Sequence, residues 1–166
     1  MDAELHRVWR VGADVDTDAL APGAWMQHGV DVIAQHCLEA LRPGFAAGVQ
    51  AGDVLVAGRN FGIGSSREQA AAALRHLGIA AVIAPSFAGL FFRNAFILGL
   101  LLLTCPGCDV IHEGERIAFD ARAGTVTRPG GQVLQADPIP GFLLDMVEAG
   151  GLLPQLQRRF QTRTNP

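Results

Sequence analysis

Between Asn60 and Gly78 the chain reads NFGIGSSREQAAAALRHLG. Two glycines, two adjacent hydroxyls and a guanidinium stand at the mouth of an alanine-rich segment with strong helix propensity. Free backbone N–H groups and the macrodipole make such a helix start a site for anions. Gly62 and Gly64 permit a tight loop whose amides approach a ligand closely. Arg67 adds a planar fork suited to a carboxylate or phosphate. The same residues carry a purely structural reading. Ser65 and Glu68 have the S-x-x-E spacing of a capping box, which stabilises a helix start and does nothing more. The local pattern leaves both open.

Two familiar chemistries do not fit the stretch. A dinucleotide loop would need a third glycine where Arg67 stands, and an acidic residue about 20 positions on, where the chain reads APSFAG. A hydrolase elbow would need G-x-S-x-G, and Gly64-Ser65-Ser66 lacks the second glycine. All 13 basic residues are arginine, so lysine chemistry of the P-loop or Schiff-base kind is excluded, and the lack of tyrosine removes any phenolic acid or base. A net charge of −3 argues against nonspecific nucleic-acid or membrane binding. The longest apolar run, Ala95 to Leu103, is too short to cross a bilayer. The start MDAELHRVWRVG lacks the basic and apolar regions of a signal peptide, so a cytoplasmic protein is expected. Cys37, Cys105 and Cys108 form no even disulfide framework. The single CPGC is a weak redox or zinc signal, because the following CDVIHEGERI reads as strand and turn. Inert cysteines at a strand end are the expectation, and no metal ligand is assigned to this chain.

The elements that must position the GSSR corner follow from periodicity. RVWRVG is a short alternating strand, followed by the turn-rich ADVDTDALAPGAW. VDVIAQHCLEAL has apolar residues at helical spacing and should run to Pro43. DVLVAG, IAAVIA and LLLLTC read as buried strands. They alternate with helices over SSREQAAAALRHLG and SFAGLFFRNAFILG, which stop at Gly78 and Gly99. Alternation at this spacing implies a parallel βαβαβ core. ERIAFDARAGTVTRPGGQVLQAD is hairpin material. GFLLDMVEAGGLLPQLQRRF gives two short helices broken at Gly150-Gly151, and residues 160–166 are expected to fray. At 166 residues the chain is expected to be one α/β domain.

The block GDVLVAGRNFGIGSSREQAAAALRHLGIAAVIAPSFAGLFFRNAFILGL resembles the centre of the small subunit of 3-isopropylmalate dehydratase, which is similar to the swivelling C-terminal domain of aconitase. DVDTDALAPGAWM resembles the same family's D-T-D-x-I-x-P-G loop, and GFLLDMVEAGGLLPQL its closing helix. The resemblance covers most of residues 8 to 156. It implies a swivelling β/β/α domain and one half of a two-chain hydro-lyase of leucine biosynthesis, inactive alone. A [4Fe-4S] cluster would sit on a large subunit, in a heterodimer or heterotetramer, and this chain would bind no cofactor. Carried over residue by residue, Ser65 is the base that takes a proton from the carbon beside a carboxylate. Ser66 and Arg67, with Gly64 and Gly62, hold that carboxylate. Asp16, Thr17 and Asp18 support the site, with an Asx-type turn as the equally good plain reading. Arg93 and Asn94 match the family's R-N-A and are read as structural.

The chain departs from the pattern at three places. Ile63 stands where the family often has cysteine, and Gly89 where an arginine is common. The segment Ala24 to Val30, AWMQHGV, lies where relatives contact the variable arm of the substrate. Trp25, Met26, Gln27 and His28 offer no arginine, so an alkyl-armed diacid is expected over the longer acidic arm of a homoaconitase substrate. Trp25 and Met26 as plain core residues fit equally well. A relative acting on citraconate or dimethylmaleate is the nearest alternative. A noncatalytic anion-binding module is the alternative from another class.

Overall fold

The computed structural model describes residues 3–164. Four short strands, β1 (His6–Arg10), β2 (Val54–Val56), β3 (Ala81–Ala84) and β4 (Leu102–Thr104), run parallel. Every residue of β2 and β3 is buried, which is why the sequence there is an unbroken apolar run rather than an alternation. The crossovers are α4 (Glu68–His76) and α5 (Gly89–Ile97), packed on one another. The small side chains Ala70, Ala71 and Ala73 of α4 are fully buried, and they let it lie close to its neighbours.

On its other edge β1 pairs antiparallel with β5 (Arg116–Asp120), which continues through β6 (Thr125–Thr127) to β7 (Val133–Gln135). The strand order is β4-β3-β2-β1-β5-β6-β7. Three short helices, α1 (Thr17–Leu20), α2 (Val30–Gln35) and α3 (Phe45–Gly48), fill the connection between β1 and β2. Helices α6 (Gly141–Glu148) and α7 (Leu152–Thr164) close the chain. The βαβαβ core, the hairpins and the break at Gly150-Gly151 are those expected from the sequence.

Two local expectations fail. The helix expected to reach Pro43 stops at Gln35. Leu38 adopts φ 59° and donates its N–H to Ala19 O (2.8 Å), so a tertiary bond overrides the helical period. After Cys108 the chain forms a single 3₁₀ turn, Cys108–Val110, and no strand until Arg116. Of the tail expected to fray, residues 160–164 continue α7, and residues 165–166 lie outside the described residues. After Pro154 no glycine or proline interrupts that helix, and Thr162 Oγ1 donates to Arg158 O (2.9 Å).

The parallel pairing of β1 with β2 is fixed at its entry by Asp53, which is 5% exposed. Its Oδ2 accepts from Arg7 Nη2 (2.6 Å), Trp9 Nε1 (2.9 Å) and Gln50 N (2.9 Å). Burial pushes the Asp53 carboxyl up, but the Arg7 guanidinium, the Gln50 amide and the Trp9 indole outweigh it and hold it below its ordinary 3.8. The stabilisation is therefore present above pH 3.8 and lost as pH falls through the lower folded value. Asp53→Asn should cost about 1–3 kcal/mol near neutral pH. In thermal unfolding followed against pH, the gap between variant and parent should close below pH 3.8. A pH-independent gap would show that the charge is irrelevant.

Candidate active site

Sites in open α/β sheets form beyond the carboxyl ends of the strands. Here the loops after β1 and β2 meet in that position. Gly62 N donates to Val15 O (2.7 Å), and Thr17 N donates to Ile63 O (2.8 Å), an isolated parallel bridge outside the strands. The approach needs glycine at two positions. Gly62 has φ 85°, and a Cβ there would lie 2.3 Å from the Phe91 ring. Gly64 has φ 105°, and a Cβ there would crowd Thr17 Oγ1 at 3.2 Å. Phe91 is buried and stacks edge-on to Phe61 at 5.3 Å, so it has no room to yield.

The capping-box reading of Ser65 and Glu68 is overturned. The N-cap of α4 is Arg67, and no side chain caps the helix. The chain enters α4 through a tight turn in which Arg67 N donates to Ser65 O (2.8 Å). Ser65 and Ser66 are exposed, and neither hydroxyl hydrogen-bonds to another described residue. Two unengaged hydroxyls thus precede an uncapped, positive helix end.

Arg67 is engaged, but on one nitrogen only. Its Nη1 donates to Asp18 Oδ1 (2.9 Å) and to Ala21 O (3.0 Å). Among the described residues Nε and Nη2 have no acceptor, which leaves a two-nitrogen edge for a carboxylate. Asp18 Oδ1 also accepts from Gly23 N (3.0 Å), and the Arg67 bond, followed by the Gly23 amide, holds its carboxyl below the ordinary range. Asp18 therefore stays ionised and orients the guanidinium.

Of the supporting trio, Asp16 caps α1 through Ala19 N (2.8 Å), in agreement with its turn-forming reading. Thr17 is buried beneath Gly64, and Asp18 alone reaches Arg67. In the segment expected to contact the substrate arm, Trp25 and Met26 are half-buried against the core, while Gln27 and His28 are exposed. The Trp25 indole stacks on the imidazole of His36, a residue that no motif singles out. Ile63 is half-buried and Gly89 exposed at the start of α5. Arg93 is exposed beside an apolar cleft of about 400 Å³ lined by Phe92, Phe96 and Leu143.

The cysteines do not suit a cluster or a zinc ion. All three are free and buried; burial pushes the Cys37 and Cys108 thiols up to about 12 and raises Cys105 as well. Thiolate is the ligating form, and these environments disfavour it. Among the described residues no group of three or more His, Cys, Asp or Glu is placed to hold a metal ion. No described helix is long and apolar enough to cross a membrane.

The profile of the aconitase C-terminal domain matches residues 47–107, which span the corner. The chain is 44% identical to 3-isopropylmalate dehydratase small subunit 1 of Methanopyrus kandleri, over 95% of this chain and 94% of that protein. It is 41% identical to the methanogen homoaconitase small subunit of Methanothermobacter thermautotrophicus, over 94% and 92%. The crystal structure of 3-isopropylmalate dehydratase from Methanocaldococcus jannaschii superposes with a TM-score of 0.90, at 36% identity and 96% coverage of both chains. With this fold, and with such identity along nearly its whole length, the chain belongs to the 3-isopropylmalate dehydratase small-subunit family.

Proposed function

We propose that this chain is the small subunit of a hydro-lyase of the 3-isopropylmalate dehydratase type, acting on an alkyl-armed hydroxy-diacid. The observation that carries the reading is the guanidinium of Arg67, tied on Nη1 and open on its other edge, beside two exposed serines at an uncapped helix start. The open edge and the Ser66 hydroxyl hold one substrate carboxylate. The Ser65 Oγ, as alkoxide, takes the proton from the adjacent carbon. The electron pair of that C–H bond forms the double bond as the C–O bond to the neighbouring hydroxyl breaks. The hydroxyl leaves with that bond's pair as hydroxide, which takes up a proton and is released as water.

A carbon acid beside a carboxylate is very weak, so its base must be strong. Helix amides and a guanidinium, in a site closed off from water, are the groups that stabilise such an oxyanion. Alone, the corner lies open to solvent, and closure requires a second surface. A large subunit provides it, together with a [4Fe-4S] cluster acting as Lewis acid. The small-subunit names of the relatives and the ill-suited cysteines of this chain support that division. The lack of arginine between Ala24 and Val30 favours an alkyl arm over an acidic one, and with it a place in leucine biosynthesis. The homoaconitase-named relative keeps the acidic-arm reading as the second choice.

With the reconstituted complex, Ser65→Ala should lower kcat by about 10²–10⁴-fold. Because Ser65 caps nothing, its unfolding free energy should stay within that of a neutral surface change, about 0.5 kcal/mol. Near-normal kcat in this variant would reject the base assignment.

Arg67→Lys should fail nearly as badly as Arg67→Ala, since a point charge on a flexible stem does not reproduce the fork. Asp18→Asn should raise KM for every diacid about tenfold by freeing the guanidinium from its productive orientation. Unaltered KM in both variants would remove the carboxylate clamp.

A further inference from the structure

We propose that His36 is a specificity-determining positioning residue: braced by Glu39, its imidazole fixes the Trp25 indole as the wall on which the substrate's variable arm packs. The inference rests on the reading of Ala24–Val30 as the arm-contacting segment.

The two rings lie 3.7 Å apart and 5° from parallel, the closest and flattest ring pair among the described residues. Other pairs stand at 4.7 Å or more. The imidazole is itself held. Its Nδ1 lies 2.6 Å from Glu39 Oε2, and a carboxylate only accepts, so Nδ1 carries the proton and the ring orientation is set. The backbone beneath it is fixed as well. His36 N donates to Ile33 O (3.0 Å), and the next two residues, Cys37 and Leu38, are fully buried.

Leu38 takes the left-handed conformation, which is strained for a non-glycine residue and persists only where the surroundings enforce it. What enforces it is the bond from Leu38 N to Ala19 O on α1. Helix α1 also carries Asp18, which orients Arg67. One short helix thus holds the clamp for the constant carboxylate and, through His36, the wall for the variable arm.

Trp25 is suited to that role. It sits in the 3₁₀ turn Gly23–Trp25, shortly after the Ala21 carbonyl that Arg67 grips. It is half-buried, and Met26 beside it also packs on the core. A side chain locked on one face and still partly open offers a preorganised apolar surface at little entropic cost on binding. A filler of the core would need neither the parallel stack nor the carboxylate behind it.

The test uses the complex with the large subunit and hydration of maleate, citraconate and isopropylmaleate, which share one diacid and differ in arm. His36→Ala should compress the preference for isopropylmaleate over maleate about tenfold, chiefly through KM. His36→Phe should restore most of the preference, because it keeps a flat ring under Trp25. A second readout uses the full chain alone. Its two tryptophans give two indole N–H resonances, of which Trp25 should move in His36→Ala while Trp9 stays. An unmoved Trp25 resonance overturns the positioning role whatever the enzyme acts on. A moved resonance with an unchanged ranking, in a complex that Ser65→Ala inactivates, overturns the wall alone. An equal loss on all three substrates reduces His36 to a structural residue. Failure of the parent complex to hydrate any of the three substrates sinks the dehydratase reading separately. Should His36→Ala fail to fold, Glu39→Ala takes its place in the same comparisons, with His36→Phe as the variant that keeps the ring.

Discussion

The site depends on two backbone hydrogen bonds that cross between loops: Gly62 N to Val15 O and Thr17 N to Ile63 O. They extend the parallel pairing of β1 and β2 beyond the strands, to where the side chains with chemical potential lie. Residues 49 positions apart, Asp18 and Arg67, reach hydrogen-bond distance because of them. The bonds in turn require backbone at Gly62 to pass against the Phe91 ring, which leaves no volume for a side chain. A packing constraint in the core thereby fixes the polar geometry at the surface.

The start of α4 forgoes a stabilising feature that its sequence offers. A serine cap contributes about 1 kcal/mol to a helix, and Ser65 stands at the right spacing for one. The tight turn between Ser65 and Arg67 moves that hydroxyl away from the helix amides. Stability is supplied elsewhere, by the apolar burial of β2, β3 and α4 and by the hydrogen bonds that converge on Asp53. Local rules broken without a compensating contact are expected at functional positions, and that is one ground for proposing this helix start as the site.

Much of this is legible in the sequence. Buried strands announce themselves as apolar runs such as VLV and AVIA, and the glycines after α4 and α5 stop the helices where expected. The GSSR corner is visible because its residue types are unusual together. What escapes depends on contacts distant in the sequence. Nothing near Leu38 signals that its N–H will be taken by Ala19, so the helical period of residues 30–41 reads longer than the helix itself. Asp16, Thr17 and Asp18 look equivalent in the sequence, and only their directions in space separate a cap, a buried spacer and a partner for Arg67. His36 looks like one more polar residue on a helix face.

The position of β1 has a consequence for how the chain comes to be folded. It is the first described strand in the sequence and the middle strand of the sheet, with three strands on either side. One edge finds its partner near Val54, the other only near Ile117. During synthesis from the N-terminus the parallel half has all its strands once Thr104 has emerged, yet the outer edge of β1 stays bare until β5 follows. Unpaired strand edges are templates for association with other chains. The nascent protein is therefore most exposed to misassembly in the interval between completing its parallel half and covering the edge of β1, and substitutions that delay β5 should act there, leaving the finished site untouched.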